Sequence, residues 1–70
     1  MKMKDLAKQF GHNLRGMRRD KGLSQDKLAL LADIDRSYIG RIERGEVNIT
    51  LEKAYLLASV LGCDIRDLLP

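Results

Sequence analysis

Arg36, Ser37, Gly40, Arg41 and Arg44 are spaced i, i+1, i+4, i+5 and i+8, which places them on one side of an α-helix. Ile39 and Ile42, three apart, mark the opposite, buried side. The polar side is basic and has almost no bulk at its centre, where Gly40 sits. Such a face suits close approach to the groove of a polyanion. A guanidinium can bond guanine O6 and N7 bidentately, a contact worth about 1–3 kcal/mol of discrimination between bases. The competing reading is an ordinary solvated helix face, and the surrounding elements decide between the two.

Other chemistry is scarce. Cys63 is the one cysteine and His12 the one histidine, so the sequence offers no internal disulfide and falls short of the three or four ligands of a zinc site. Cys63 lies in an apolar segment without a base nearby in sequence, and His12 has no identifiable partner. Both read as inert, so the chain is expected to be no enzyme and to hold no cofactor or metal.

The elements that must position the basic face follow in order. Leu6, Phe10, Leu14 and Met17 step by four, four and three, which predicts a first helix with one apolar face. Gly22 ends it as a C′ glycine would. Gly11 and Gly16 each weaken this helix by about 0.5–1 kcal/mol relative to alanine, so packing must hold it. Ser24 is a good N-cap for a second short helix, with Asp26 in its first turn and Leu28, Leu31 and Ala32 expected to face inward. Asp33-Ile34-Asp35 breaks that helix, and Asp35 can cap the basic one, which runs to Glu43 or Arg44 and is closed by Gly45. Two helices joined by about three residues have helix-turn-helix spacing, which favours a groove-binding face over a merely solvated one. Thr50 can cap a fourth helix to Leu61, closed by Gly62, and Asp64 a last short helix over Ile65, Leu68 and Leu69. The expected fold is all-α, a compact five-helix bundle in one domain over residues 1–70, with the helix-turn-helix at about 24–44.

Seventy residues, 44% hydrophobic and 33% charged, fit one soluble, cytoplasmic domain with no membrane span and no signal peptide. The formal charge is +3, but residues 1–21 carry a local +5 (Lys2, Lys4, Lys8, Arg15, Arg18, Arg19 and Lys21 against Asp5 and Asp20) and residues 46–70 a local −2. A basic front and an acidic back point to a polyanion on one side. Without staples, a core this small supplies only about 3–5 kcal/mol, which makes self-association an expected source of stability. The fourth helix can bury Leu51, Ala54, Tyr55, Ala58 and Leu61 as one face, leaving Leu56, Leu57 and Val60 elsewhere on the cylinder. Together with Ile65, Leu68 and Leu69 these predict a two-fold dimer surface at about 55–70. The other reading is that the same side chains close the core over the first helix.

The stretch LSQDKLALLADIDRSYIGRIERGEVNITLEKAYLLASVLG, residues 23–62, closely resembles the phage-repressor-like helix-turn-helix family (Cro-type, XRE family), and the first helix also fits. Within it, DRSYIGRIERGEVNITLEKA looks most like the controller proteins of restriction–modification systems. The resemblance implies a lambda-repressor-like fold and a regulator that binds double-stranded DNA as a homodimer, reads an inverted repeat and controls its own operon. It implies that Arg36, Ser37 and Arg41 reach base edges, that Gln25, Arg44 and Asn48 contact phosphates, and that Tyr38 touches backbone or a thymine methyl unless it packs against the second helix. It also implies a buried structural ion pair of Arg18 with Glu43, and dimerisation through the C-terminal end, where Leu56, Leu57, Val60, Ile65, Leu68 and Leu69 lie. Activation would add RNA polymerase as a partner, with Asp26 as an acidic contact, and DNA binding would associate the protein with the nucleoid. An antitoxin and a protein-interaction module on the same fold are the alternatives; the presence of Arg36, Arg41 and Arg44 argues against the latter. Two departures stand out: Asp33 occupies a turn position that is usually glycine, and Ile49 replaces a common proline before the fourth helix.

Overall fold

The computed structural model describes residues 3–70. It contains α1 (Met3–Asp20), α2 (Gln25–Ala32), α3 (Arg36–Glu43), α4 (Leu51–Leu61) and a 3-10 turn at Ile65–Asp67, with no strand among the described residues. Of the basic residues at the front of the sequence, Lys2 and the side chain of Lys4 lie outside what is described. The all-α class is as expected, but the described residues form four α-helices and a 3-10 helix rather than five α-helices. The segment after Asp64 closes on itself too soon to continue as a helix. Asp64 accepts from the Arg66 N–H at 2.8 Å, and Asp67 accepts from the Asp64 N–H at 3.1 Å. This reciprocal box fixes a single tight turn.

Side-chain capping follows the sequence at the starts of α2 and α4. Ser24 accepts from the Lys27 N–H at 3.0 Å and Thr50 from the Lys53 N–H at 3.2 Å, each satisfying a donor that the first turn of a helix leaves open. Asp33 ends α2 in the left-handed conformation, φ 56° and ψ 45°, while the Ile34 N–H bonds the Ala29 carbonyl at 3.0 Å. A non-glycine residue is strained there, and a short polar side chain tolerates it better than most. Asp35 stands at the N-cap of α3 but makes no side-chain cap bond. Its carboxylate accepts from the Ser37 hydroxyl instead.

The core gathers Phe10 and Leu14 of α1, Leu28 of α2, Ile39 and Ile42 of α3, Leu57 and Leu61 of α4, and Leu68. The crossing of α1 over α3 depends on Gly11. A Cβ on that residue would stand 2.3 Å from the Ile42 carbonyl oxygen and 2.7 Å from that of Glu43. The low helix propensity of glycine is thus the condition for the two backbones to touch. Gly16 has open space around it and no such role.

Three expectations about facing need correction. Leu31 is exposed, and α2 turns Leu28, Ala29 and Ala32 inward. On α4 the buried face is Ala54, Leu57, Ala58 and Leu61, while Leu51 and Tyr55 are 72% and 58% exposed. Leu57 and Leu68, expected on a dimer surface, are both fully buried within the single chain. The C-terminal segment folds back on α1, where Asn13 Nδ2 donates to the carbonyls of Leu68 at 3.1 Å and Leu69 at 3.2 Å, and this carries Leu68 into the core. No helix described is long and apolar enough to cross a membrane.

Candidate nucleic-acid interface

The site rests on a buried carboxylate. The Glu43 side chain has no solvent exposure and pairs with Arg18, Nε to Oε2 at 2.6 Å. Arg18 Nη2 donates to Glu43 Oε1 at 3.0 Å, and its remaining nitrogen, Nη1, to the Leu23 carbonyl at 2.8 Å. Gln25 Nε2 at 3.0 Å and Arg15 Nε at 3.3 Å donate to the same Oε1. No buried side-chain nitrogen or oxygen among the described residues lacks a partner, the condition for an ion pair to hold in a core. Burial pushes the Glu43 carboxyl up, but the bonds from Arg18, Gln25 and Arg15 outweigh it and hold the group below its ordinary value. The bond to Glu43 raises Arg18 against the opposing effect of burial. One carboxylate therefore locks α1, the entry to α2 and the end of α3 together.

Ile39, Ile42 and Glu43 turn inward and Gly40 is buried as well, while Arg36, Ser37, Arg41 and Arg44 are exposed. Gln25, Arg36, Ser37, Gly40, Arg41 and Arg44 line one open groove of ≈ 330 Å³. The five residues that sequence spacing placed on a single face are thus brought together, and Gln25 joins them from the first turn of α2. The outer arginines are engaged: Arg36 Nε lies 2.6 Å from Asp26 Oδ1, and Arg44 Nε 2.7 Å from Glu46 Oε2. Arg41, between them, has no ion-pair partner among the described residues. Arg44 also leans over Gly40, where an added Cβ would meet its Nη1 at 3.1 Å.

On the other side of Ser37 and Arg41 lies a second, larger depression of ≈ 520 Å³, lined also by Asp33, Ile34, Asp35, Tyr38 and Lys53. Tyr38 is half-buried against the core, and Lys53 Nζ stands 5.6 Å from its ring centroid, within cation–π range. Tyr38 thus packs its body against the core and lines this second depression, not the groove of Gln25 and the arginines. Asn48 is exposed in the loop between α3 and α4 and lines neither depression. Lys53 is an addition to the residues expected at this surface. It stands in the acidic third of the chain, and the available signal was its place in the first turn of α4, just after the Thr50 cap. Further additions are Arg15 and Gln25 as partners of Glu43, and both outer ion pairs.

At the opposite end, Tyr55, Leu56 and Leu69 are exposed, while Val60 and Ile65 are half-buried against the core. The apolar surface left over is smaller than the sequence implied, because Leu57 and Leu68 are used inside.

Comparison with known proteins agrees with this geometry. A family model described as helix-turn-helix (HTH_3) matches residues 14–68. The chain is 41% identical over 61 residues to the control protein C.BamHI of Bacillus amyloliquefaciens, covering 86% of this chain and 75% of that one. It is 37% identical over 65 residues to the control protein C.SmaI of Serratia marcescens, covering 93% and 77%. Among solved structures, the restriction–modification controller protein C.AhdI of Aeromonas hydrophila superposes with a TM-score of 0.85 at 45% identity, over 89% of this chain and 94% of that one. The chain belongs to the helix-turn-helix family of which these controller proteins are members.

Proposed function

We propose that the protein is a sequence-specific DNA-binding transcriptional regulator of the controller type, in which α3 enters the major groove of double-stranded DNA. The observation that carries this is the groove-side face of α3: three arginines around a glycine, oriented by a buried ion pair and flanked by the first turn of α2. Arg36, Ser37 and Arg41 are assigned to base edges, and Gln25, Tyr38, Arg44 and Asn48 to the phosphate backbone. Gln25 keeps one amide hydrogen for a phosphate while the other is held by Glu43, and it sits where the helix N-terminus favours an anion.

The chain acts in this reading as one domain, with the helix-turn-helix at 24–44 and a homodimer contact within 55–70. Tyr55, Leu56 and Leu69 are the exposed apolar side chains there, with Val60 and Ile65 at their edge. A two-fold dimer sets its recognition helices about one DNA turn apart, roughly 34 Å, and reads an inverted repeat. Binding is then steep in protein concentration, which suits control of its own operon in the cytoplasm. Activation adds a contact with RNA polymerase, and Asp26 remains 74% exposed while paired with Arg36.

Selection from a pool of random duplexes tests the proposal. The expected product is an inverted repeat with half-sites centred one turn apart, and recovery of no enriched sequence would contradict it.

A further inference from the structure

The groove-side face of α3 carries its own counter-charges. Asp26 and Glu46 stand at ion-pair distance from its outer arginines, Asp26 beside the Nε of Arg36 and Glu46 along the Nε–Nη2 edge of Arg44. Arg36 Nε stands 2.6 Å from Asp26 Oδ1 as a charge contact, and both of its terminal nitrogens stay unengaged. Arg44 is bonded through Nε at 2.7 Å and Nη2 at 3.4 Å, which leaves Nη1 over Gly40. All four side chains are about half exposed or more, so the pairs do little for stability and open at little cost. Neither acid is needed to satisfy a buried group. Their position, directly beside the cations that meet DNA, opposes the general attraction of a basic face for phosphate.

From these pairs we infer that Asp26 and Glu46 form an electrostatic restraint that lowers sequence-independent binding to DNA. The inference rests on the reading of α3 as the DNA-binding face. Sequence-independent binding is driven by release of counterions when cations neutralise phosphates. An arginine already neutralised by a carboxylate releases little: when it swings to a phosphate, the abandoned carboxylate takes up a cation of its own. The restraint weighs less on base reading. The terminal nitrogens of Arg36 can form the bidentate pair with a guanine edge while Nε stays on Asp26. The acids thus depress the background more than the specific complex.

The test is a fluorescence anisotropy titration of a random-sequence duplex across salt, with the wild type, Asp26→Asn, Glu46→Gln and the double variant. Asp67→Asn serves as a control that removes one negative charge from the turn packed on α4. Thermal melting shows that each variant is folded. The double variant is expected to bind the random duplex at least tenfold more tightly than wild type at low salt, with a log–log slope steeper by up to about 0.9 for each arginine released. Its preference for a selected operator over the random duplex should fall. Slopes and affinities that match the Asp67→Asn control would overturn the inference and leave the DNA-binding reading intact. Absence of binding to any duplex by the wild type would overturn both.

Discussion

The side-chain amide of Gln25 stands 3.0 Å from Glu43 Oε1, the oxygen that also receives Arg18 Nη2 at 3.0 Å. The residue assigned to a DNA phosphate is therefore oriented by the buried group that ties α1 to α3, and stability and binding share one carboxylate. Glu43→Gln leaves Arg18 buried without its counter-charge. Breaking one side of such a pair costs about 3–5 kcal/mol, so the melting midpoint should fall by about 10 °C or more in a chain of this size. Circular dichroism melting checks this, and an unchanged midpoint would remove the pair from the account.

The same group sets a direction for acid. In the fold the Glu43 carboxyl lies below its ordinary value, because three donors outweigh burial. A depressed carboxyl contributes stability that is complete above the ordinary carboxylate range and is lost as pH falls through the lowered folded value. Melting midpoints measured across that acidic range should drop steeply for wild type and less steeply for Glu43→Gln. Parallel curves would show that other groups govern acid unfolding.

Two glycines of α1 should respond in opposite directions. Gly11→Ala puts a Cβ within 2.3 Å of a backbone oxygen of α3 and must push the helices apart, with an expected loss of about 1–3 kcal/mol or more. Gly16→Ala meets nothing within 4 Å and should gain about 0.5–1 kcal/mol from helix propensity. Chemical denaturation of the two variants measures the difference, and a loss at Gly16 would show a contact the fold does not contain.

Much of the fold could be read from the sequence because its signals are local. Ser24 and Thr50 cap through side chains three residues from their partners, and Gly22, Gly45 and Gly62 all take positive φ. The face of α3 was legible for a related reason: Ile39 and Ile42 leave only one side for the arginines. The buried side of α4 was not, since Leu51 with Tyr55 and Leu57 with Leu61 each satisfy helical spacing. Tertiary packing chose the latter. The fate of Leu68 depended on Asn13, far away in sequence. The Asp26–Arg36 pair crosses the turn between two helices, and no periodicity within either helix reports it.

The corrected surface changes the dimer prediction. Leu56→Glu with Leu69→Glu should give a folded monomer with much weaker DNA binding, because both residues are exposed in the protomer. Leu57→Glu should instead unfold the chain, since it buries an unpaired charge. Sedimentation and circular dichroism separate the two outcomes, and a dimer that survives the double substitution would place the contact elsewhere.

In the proposed complex, α3 reads base edges while its flanks hold phosphates. Titration of the duplex upstream of the protein's own gene, followed by mobility shift across salt, tests it most directly with wild type, Arg36→Ala and Arg44→Ala. A steep salt dependence is expected for wild type, near −0.9 on a log–log plot for each phosphate contact. Arg36→Ala should relax sequence preference more than it flattens that slope, and Arg44→Ala should do the reverse. Equal effects of the two substitutions on preference and slope, or no shift with the wild type, would contradict it.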